Sequence, residues 1–138
     1  MRLGMGLGLG NLLSGNSLIA YPNEYSFNFD GSNDYLDVGS GEGVNFGTSN
    51  FTISTWINTS DADGAIYSSY DASHPYVHLR LASGKVYLYL SNSSSNGEES
   101  WASTATVNNG SWYHIAVSRS GTDLRLFIDG AEVGSATN

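Results

Sequence analysis

The chain has 138 residues, 40 % of them hydrophobic and only 13 % charged, with a formal net charge of −8 and no cysteine. That length supports one domain with a real core. Five Lys and Arg residues in a chain of net charge −8 cannot neutralise a run of phosphates, which argues against a nucleic-acid partner; the acidic balance disfavours anionic membrane surfaces, and the missing cysteines remove disulfides, thiolate metal sites and a thiol nucleophile.

Residues 1–22 place Arg2 ahead of alternating Leu or Met and Gly, followed by a short apolar run. A cleaved secretory signal is one reading. The glycines, which weaken a helical apolar segment, and the lack of a small-x-small site before Tyr21 oppose it. The run is too short and too rich in glycine to span a membrane. The other reading is an N-terminal arm that orders on a partner. Pro22-Asn23 marks the boundary with a domain over 23–138.

Glu24 to Asp30 is predicted as a strand with Tyr25, Phe27 and Phe29 on one face. Asp30-Gly31-Ser32-Asn33 turns the chain, and Tyr35 to Val38 is predicted as a short partner strand. Val44 and Phe46, in a Gly-rich loop, are expected to plug one edge of the core. Phe51 to Asn58 reads as a central strand, with Phe51, Ile53 and Ile57 facing one way and Thr52, Ser54 and Trp56 the other. Asp61-Ala62-Asp63-Gly64 turns into a strand over 65–70. Tyr76 to Ala82 and Val86 to Ser91 form a hairpin across Ser83-Gly84. Residues 92–100 read as a polar loop and 101–107 as a strand with little polarity contrast.

The most informative stretch is 110–135. Tyr113, Ile115 and Val117 alternate with Trp112, His114, Ala116 and Ser118. After a turn at Ser120-Gly121, Leu124, Leu126 and Ile128 alternate with Arg125, Phe127 and Asp129. Asp129-Gly130 is a strong hairpin signal, because a type I′ turn needs positive φ at both central residues. A period of two along most of the chain predicts an all-β antiparallel β-sandwich, since a meander buries one face and needs a second sheet to cover it.

Three blocks carry a family resemblance: FDGSNDYLDV at 29–38, FTISTWI at 51–57, and WYHIAV at 112–117 with LRLFIDG at 124–130. In this order they resemble laminin-G-like domains of the concanavalin A-like lectin/glucanase superfamily, over roughly residues 24–136. The resemblance implies a jelly-roll sandwich, ligand binding without catalysis, and in many members a calcium ion near a sheet edge. It also implies a closing strand after the last hairpin, which residues 131–138 do not supply. The expectation is that the N-terminal arm, a second copy or another protein covers the open edge. The Gly/Leu-rich opening is similar to that of tailed-phage structural proteins with such a domain, which implies a virion or extracellular surface.

Trp56, His78, Arg80, Tyr87, Tyr89, His114, Arg125 and Phe127 all lie on the faces opposite the aliphatic stripes. If their strands pair in one sheet, that sheet offers an aromatic and basic surface to a glycan or host-surface ligand. Sugar C–H faces stack on rings while polar neighbours take the hydroxyls. The competing reading is that these rings pack, or cover a protein interface. Asp30, Asn33 and Asp34 are the candidate calcium ligands, with Asp61 and Asp63 a second cluster. Calcium takes about six to eight oxygens, which neither loop supplies alone, and such residues often bond their own turn backbone.

Glycoside hydrolysis needs two carboxylates about 5 to 10 Å apart. No same-face set is present: Glu98 and Glu99 are adjacent in the polar loop, and Glu24, Glu42 and Glu132 are isolated. His74, His78 and His114 lack metal-ligand spacing, and no nucleophile elbow occurs. The expected function is a non-catalytic carbohydrate- or surface-recognition module. The alternative is a structural or decoration protein of a virus particle, assembling through residues 1–22 and the open sheet edge.

Overall fold

A computed structural model describes residues 2–4, 25–39, 46, 49–69, 76–91 and 98–137. Its strands are β1 (Arg2–Gly4), β2 (Phe27–Asn28), β3 (Phe51–Asn58), β4 (Gly64–Ser68), β5 (Tyr76–Ala82), β6 (Lys85–Ser91), β7 (Glu98–Thr106), β8 (Trp112–Ser120), β9 (Asp123–Ile128) and β10 (Ala131–Thr137). They form two antiparallel sheets: a six-stranded sheet in the order β10-β9-β8-β3-β1-β2, and a four-stranded sheet in the order β4-β5-β6-β7. Among the described residues no helix is long and apolar enough to cross a membrane.

Alternation decides what each strand buries. In β5, Val77, Leu79 and Leu81 point inward; in β6, Val86, Leu88 and Leu90 do so. Facing them from the larger sheet are Phe51 and Ile57 of β3, Ile115 and Val117 of β8, and Leu124, Leu126 and Ile128 of β9. This single core lies between the layers, and each fully buried aliphatic side chain contributes about 1.5–3 kcal/mol relative to exposure. Phe46 stacks on Phe51 at 4.7 Å and approaches Tyr67 at 6.3 Å, so it packs against the core as expected.

The two-residue turns at 83–84 and 129–130 take the predicted backbone. Ser83 and Gly84 have φ of 50° and 76°, and Asp129 and Gly130 have 51° and 79°. Both central residues of each loop are thus left-handed, as a type I′ hairpin requires. The chain changes sheets twice, over 59–63 and over 107–111. The two crossings meet at one end of the sandwich, where Gly110 N–H donates to the Thr59 carbonyl at 2.9 Å.

Several expectations are corrected. Tyr35 to Val38 forms no strand, and the first predicted strand shrinks to Phe27–Asn28. Tyr25 and Tyr35 are 85 % and 83 % exposed. The cause is layer width: β10 packs against β7, so the four strands of the smaller sheet run out before they reach β1 and β2. Without a facing strand among the described residues, most apolar side chains of 25–38 stay exposed, Phe29 being half-buried. Glu98 and Glu99 are not in a loop, because β7 begins at Glu98 and pairs with β6 through Ser91↔Glu98 and Leu90↔Glu99. The backbone of Arg2–Gly4 lies as a strand between β3 and β2. Expectations for Glu24, Glu42, Val44, His74 and residues 5–22 fall outside the described residues.

Candidate functional site

The eight residues predicted to share a surface do not share a sheet. Their outward orientation is as expected, but strand membership divides them. Trp56, His114, Arg125 and Phe127 lie on the outer face of the larger sheet, on β3, β8 and β9. His78, Arg80, Tyr87 and Tyr89 lie on the outer face of the smaller sheet, on β5 and β6. The hydrophobic core separates the two groups. The single aromatic and basic sheet is therefore corrected to two surfaces on opposite sides of the sandwich.

On the smaller sheet, the register pairs His78 with Tyr89 and Arg80 with Tyr87. The Tyr87 and Tyr89 rings are nearly parallel, with an interplanar angle of 18° and centroids 5.9 Å apart. His78 adds a third ring 6.1 Å from Tyr89. Arg80 is held along the sheet: its Nε–H donates to the Leu81 carbonyl at 3.2 Å, and its Nη2 lies 3.8 Å from Asp63 Oδ1. All four side chains are half-buried. On flanking strands Ala65 and Ala102 are the register partners of Arg80 and Tyr87. Ala102 is thus a small cross-strand neighbour for the Tyr87 ring. Lys85, in the same outward alternation, makes this the more basic of the two faces.

Tyr67 belongs to a different environment. It packs against the core, and burial pushes its phenol above the ordinary pKa, with a hydrogen bond to Ser69 opposing the shift in part.

On the larger sheet, Trp56 and His114 are direct cross-strand partners with ring centroids 5.2 Å apart. Ser54 Oγ and His114 Nε2 are 2.7 Å apart, and the His114 backbone N–H donates to Asp129 Oδ1 at 2.8 Å. The Ser54 contact orients the imidazole on the outer face of the sheet. Arg125 and Glu132 pair at 3.4 Å on the same face. Trp112 was missed, although its position two residues before His114 places it on this face.

The candidate calcium ligands are engaged locally. Asp30 Oδ1 accepts the Ser32 N–H at 2.7 Å, and Asp34 Oδ2 accepts the Asp30 N–H at 2.9 Å. These bonds close the turn around Gly31, whose φ is 83°. Among the described residues no group of three or more His, Cys, Asp or Glu side chains comes together as a metal site.

The comparisons agree with this architecture. Mouse laminin alpha1 chain, domains LG4-5, superposes with a TM-score of 0.57 at 20 % identity, covering 64 % of this chain and 23 % of that one. The binding domain of Paraclostridial Mosquitocidal Protein 1 superposes with a TM-score of 0.57 at 19 % identity, covering 70 % of this chain and 27 % of that one. The chain thus spans about a quarter of the length of these two structures. No curated protein sequence matches it. A laminin G family model described as "Concanavalin A-like lectin/glucanases superfamily" matches residues 30–138, so the chain belongs to the laminin-G-like family of that superfamily.

Proposed function

We propose that this protein is a non-catalytic module that recognises carbohydrate, or a surface bearing it, through the outer face of β5 and β6. The observation that carries the reading is the near-parallel pair Tyr87 and Tyr89, flanked by His78 and Arg80. Two adjacent rings on one strand give a saccharide two stacking positions, and the imidazole and guanidinium beside them are donors for hydroxyl or carboxylate groups. The sheet supplies rigidity, so little ordering cost attaches to binding. The family and a neighbour that is itself a binding domain support the same reading. The setting we infer is display on a virion or other extracellular surface, with residues 1–22 as the attachment arm.

A glycan array followed by titration of the best ligand tests this. Loss of both stacking rings in Tyr87→Ala/Tyr89→Ala removes about 1–3 kcal/mol, an affinity drop of about 5- to 150-fold, with the β-sheet circular dichroism unchanged. Full affinity in the folded double variant refutes the site. A second reading draws on the strand Arg2–Gly4 inserted between β2 and β3. Here the arm serves assembly of a particle and no sugar is bound. Deleting residues 1–22 then abolishes assembly, and the array stays blank.

A further inference from the structure

The opposite side of the sandwich carries a feature that the Tyr87–Tyr89 reading leaves unused. Trp56 and Trp112 are 39 % and 42 % exposed, and they stand on β3 and β8, two interior strands of the larger sheet, with Trp112 at the start of β8. The register pairs Trp56 with His114 and Trp112 with Asn58, which makes the two indoles diagonal neighbours across β3 and β8. Such neighbours stand roughly 7–8 Å apart, within contact range for aromatic side chains. On the far side of Trp56 the register partner is Gly4, which itself has no side chain to set against the indole.

Polar groups surround the pair. Asn58 Nδ2 donates to the Gly110 carbonyl at 2.7 Å, which fixes the amide and keeps its Oδ1 as an acceptor. Ser54 and His114 lie along the same stripe, joined to each other. Arg125 is taken up by its ion pair with Glu132, and the Asp129 carboxylate accepts the His114 backbone N–H, so these charged groups beside the pair are already engaged.

Area decides between occupants. An aromatic side chain buries about 150–250 Å² in full, so two indoles about 40 % exposed offer about 200 Å² in total. A stable protein interface needs about 800 Å² per partner with a contiguous apolar centre. Here Thr52, Ser54, Asn58 and Ser118 interrupt the apolar surface. The patch is too small and too polar for a second copy of the chain, but it suits one or two sugar rings edged by hydroxyl-binding groups.

We propose that the Trp56–Trp112 face is a second saccharide site that takes neutral glycans. It stands independently of the Tyr87–Tyr89 site, and with that site it makes the module bivalent across opposite faces. The chain supplies its own reporter. Its three tryptophans are Trp56, Trp101 and Trp112, and Trp101 packs against the core, whereas the other proposed site contains tyrosines only.

The experiment titrates the full chain with neutral hexasaccharides of glucose, mannose, xylose and N-acetylglucosamine up to about 10 mM, well above millimolar dissociation constants, and follows tryptophan emission and acrylamide quenching. The expected result is a saturable blue shift with protection from acrylamide for at least one sugar. Trp112→Phe and Trp56→Ala each weaken it about tenfold, and Tyr87→Ala/Tyr89→Ala does not alter it. Emission that ignores every sugar in the folded chain overturns the proposal, as does a shift that survives both tryptophan changes. Acrylamide protection that depends on protein concentration rather than on sugar also overturns it, and assigns the face to a second copy. Loss of array binding in the tyrosine variant alone speaks only to the other face.

Discussion

Ser103→Ala tests how the β5–β6 hairpin is held. Pairing of β6 with β7 jumps from Lys85↔Thr106 to Tyr87↔Ala102, so Val86 has no ladder partner on β7. Its buried N–H donates instead to Ser103 Oγ at 3.0 Å, and Ser103 Oγ–H donates to the Ala105 carbonyl at 2.6 Å. Ser103 is 2 % exposed and Val86 is fully buried, so water cannot replace the hydroxyl at that N–H. An orphaned buried donor costs about 1–3 kcal/mol. The Ala105 carbonyl lies at an exposed residue and recovers a bond from water, which keeps the second loss small. The sum is about 2 kcal/mol, a large share of the 5–15 kcal/mol typical of a domain. Urea unfolding followed by far-ultraviolet circular dichroism should show this loss, with a melting temperature lower by roughly 8 °C. The neighbouring exposed Thr104→Ala should stay within about 0.5 kcal/mol. If Ser103→Ala matches Thr104→Ala, the hydroxyl does not replace the missing ladder bond and the argument fails.

Two further outcomes follow from particular contacts. Gly84→Ala places a Cβ at φ 76°, where it would lie 2.4 Å from Asn108 Oδ1, so Asn108 must move and the left-handed backbone still costs about 1–2 kcal/mol; a thermal melt no lower than wild type would show that this turn relaxes freely. Excess EDTA should leave glycan affinity on the β5–β6 face unchanged, because the Asp30 and Asp34 carboxylates serve their own turn and none of His78, Arg80, Tyr87 and Tyr89 depends on them. An affinity that collapses in EDTA and returns with calcium would move the site toward the turns.

Strand identity was legible wherever alternation was sharp and the turn had two residues. Tyr76–Ala82 matches its predicted bounds, and β6, β8 and β9 shift by a residue or two, because β-branched and aliphatic residues every second position have one way to face a core. The 25–38 region misled for a physical reason. Tyr25, Phe27 and Phe29 carry a strand's alternation, yet alternation states only what a strand could bury, not whether another layer lies beneath it. The six-against-four strand count supplies that answer, and it is a property of the whole fold. The glutamates at 98 and 99 were hidden by composition, since a polar edge strand and a polar loop look alike over a few residues.

The candidate site shows the same limit more sharply. Parity placed all eight side chains outward, and that part needs only the period of two. Which sheet each strand joins depends on the loops between them, and loop length does not distinguish the cases here. The crossings between sheets span 59–63 and 107–111, five residues each, whereas β4 and β5, joined through 69–75, stay in one sheet. The two-residue turns at 83–84, 121–122 and 129–130 force neighbours to pair. Those turns tie β5 to β6, β8 to β9 and β9 to β10; the longer links leave β3 free to pair with β8 across more than fifty residues. The split into a tyrosine face and a tryptophan face is therefore decided by long-range pairing. Because both crossings are pinned together by the Gly110–Thr59 hydrogen bond, the two faces keep a fixed, back-to-back relation, and a ligand on one cannot reach the rings of the other.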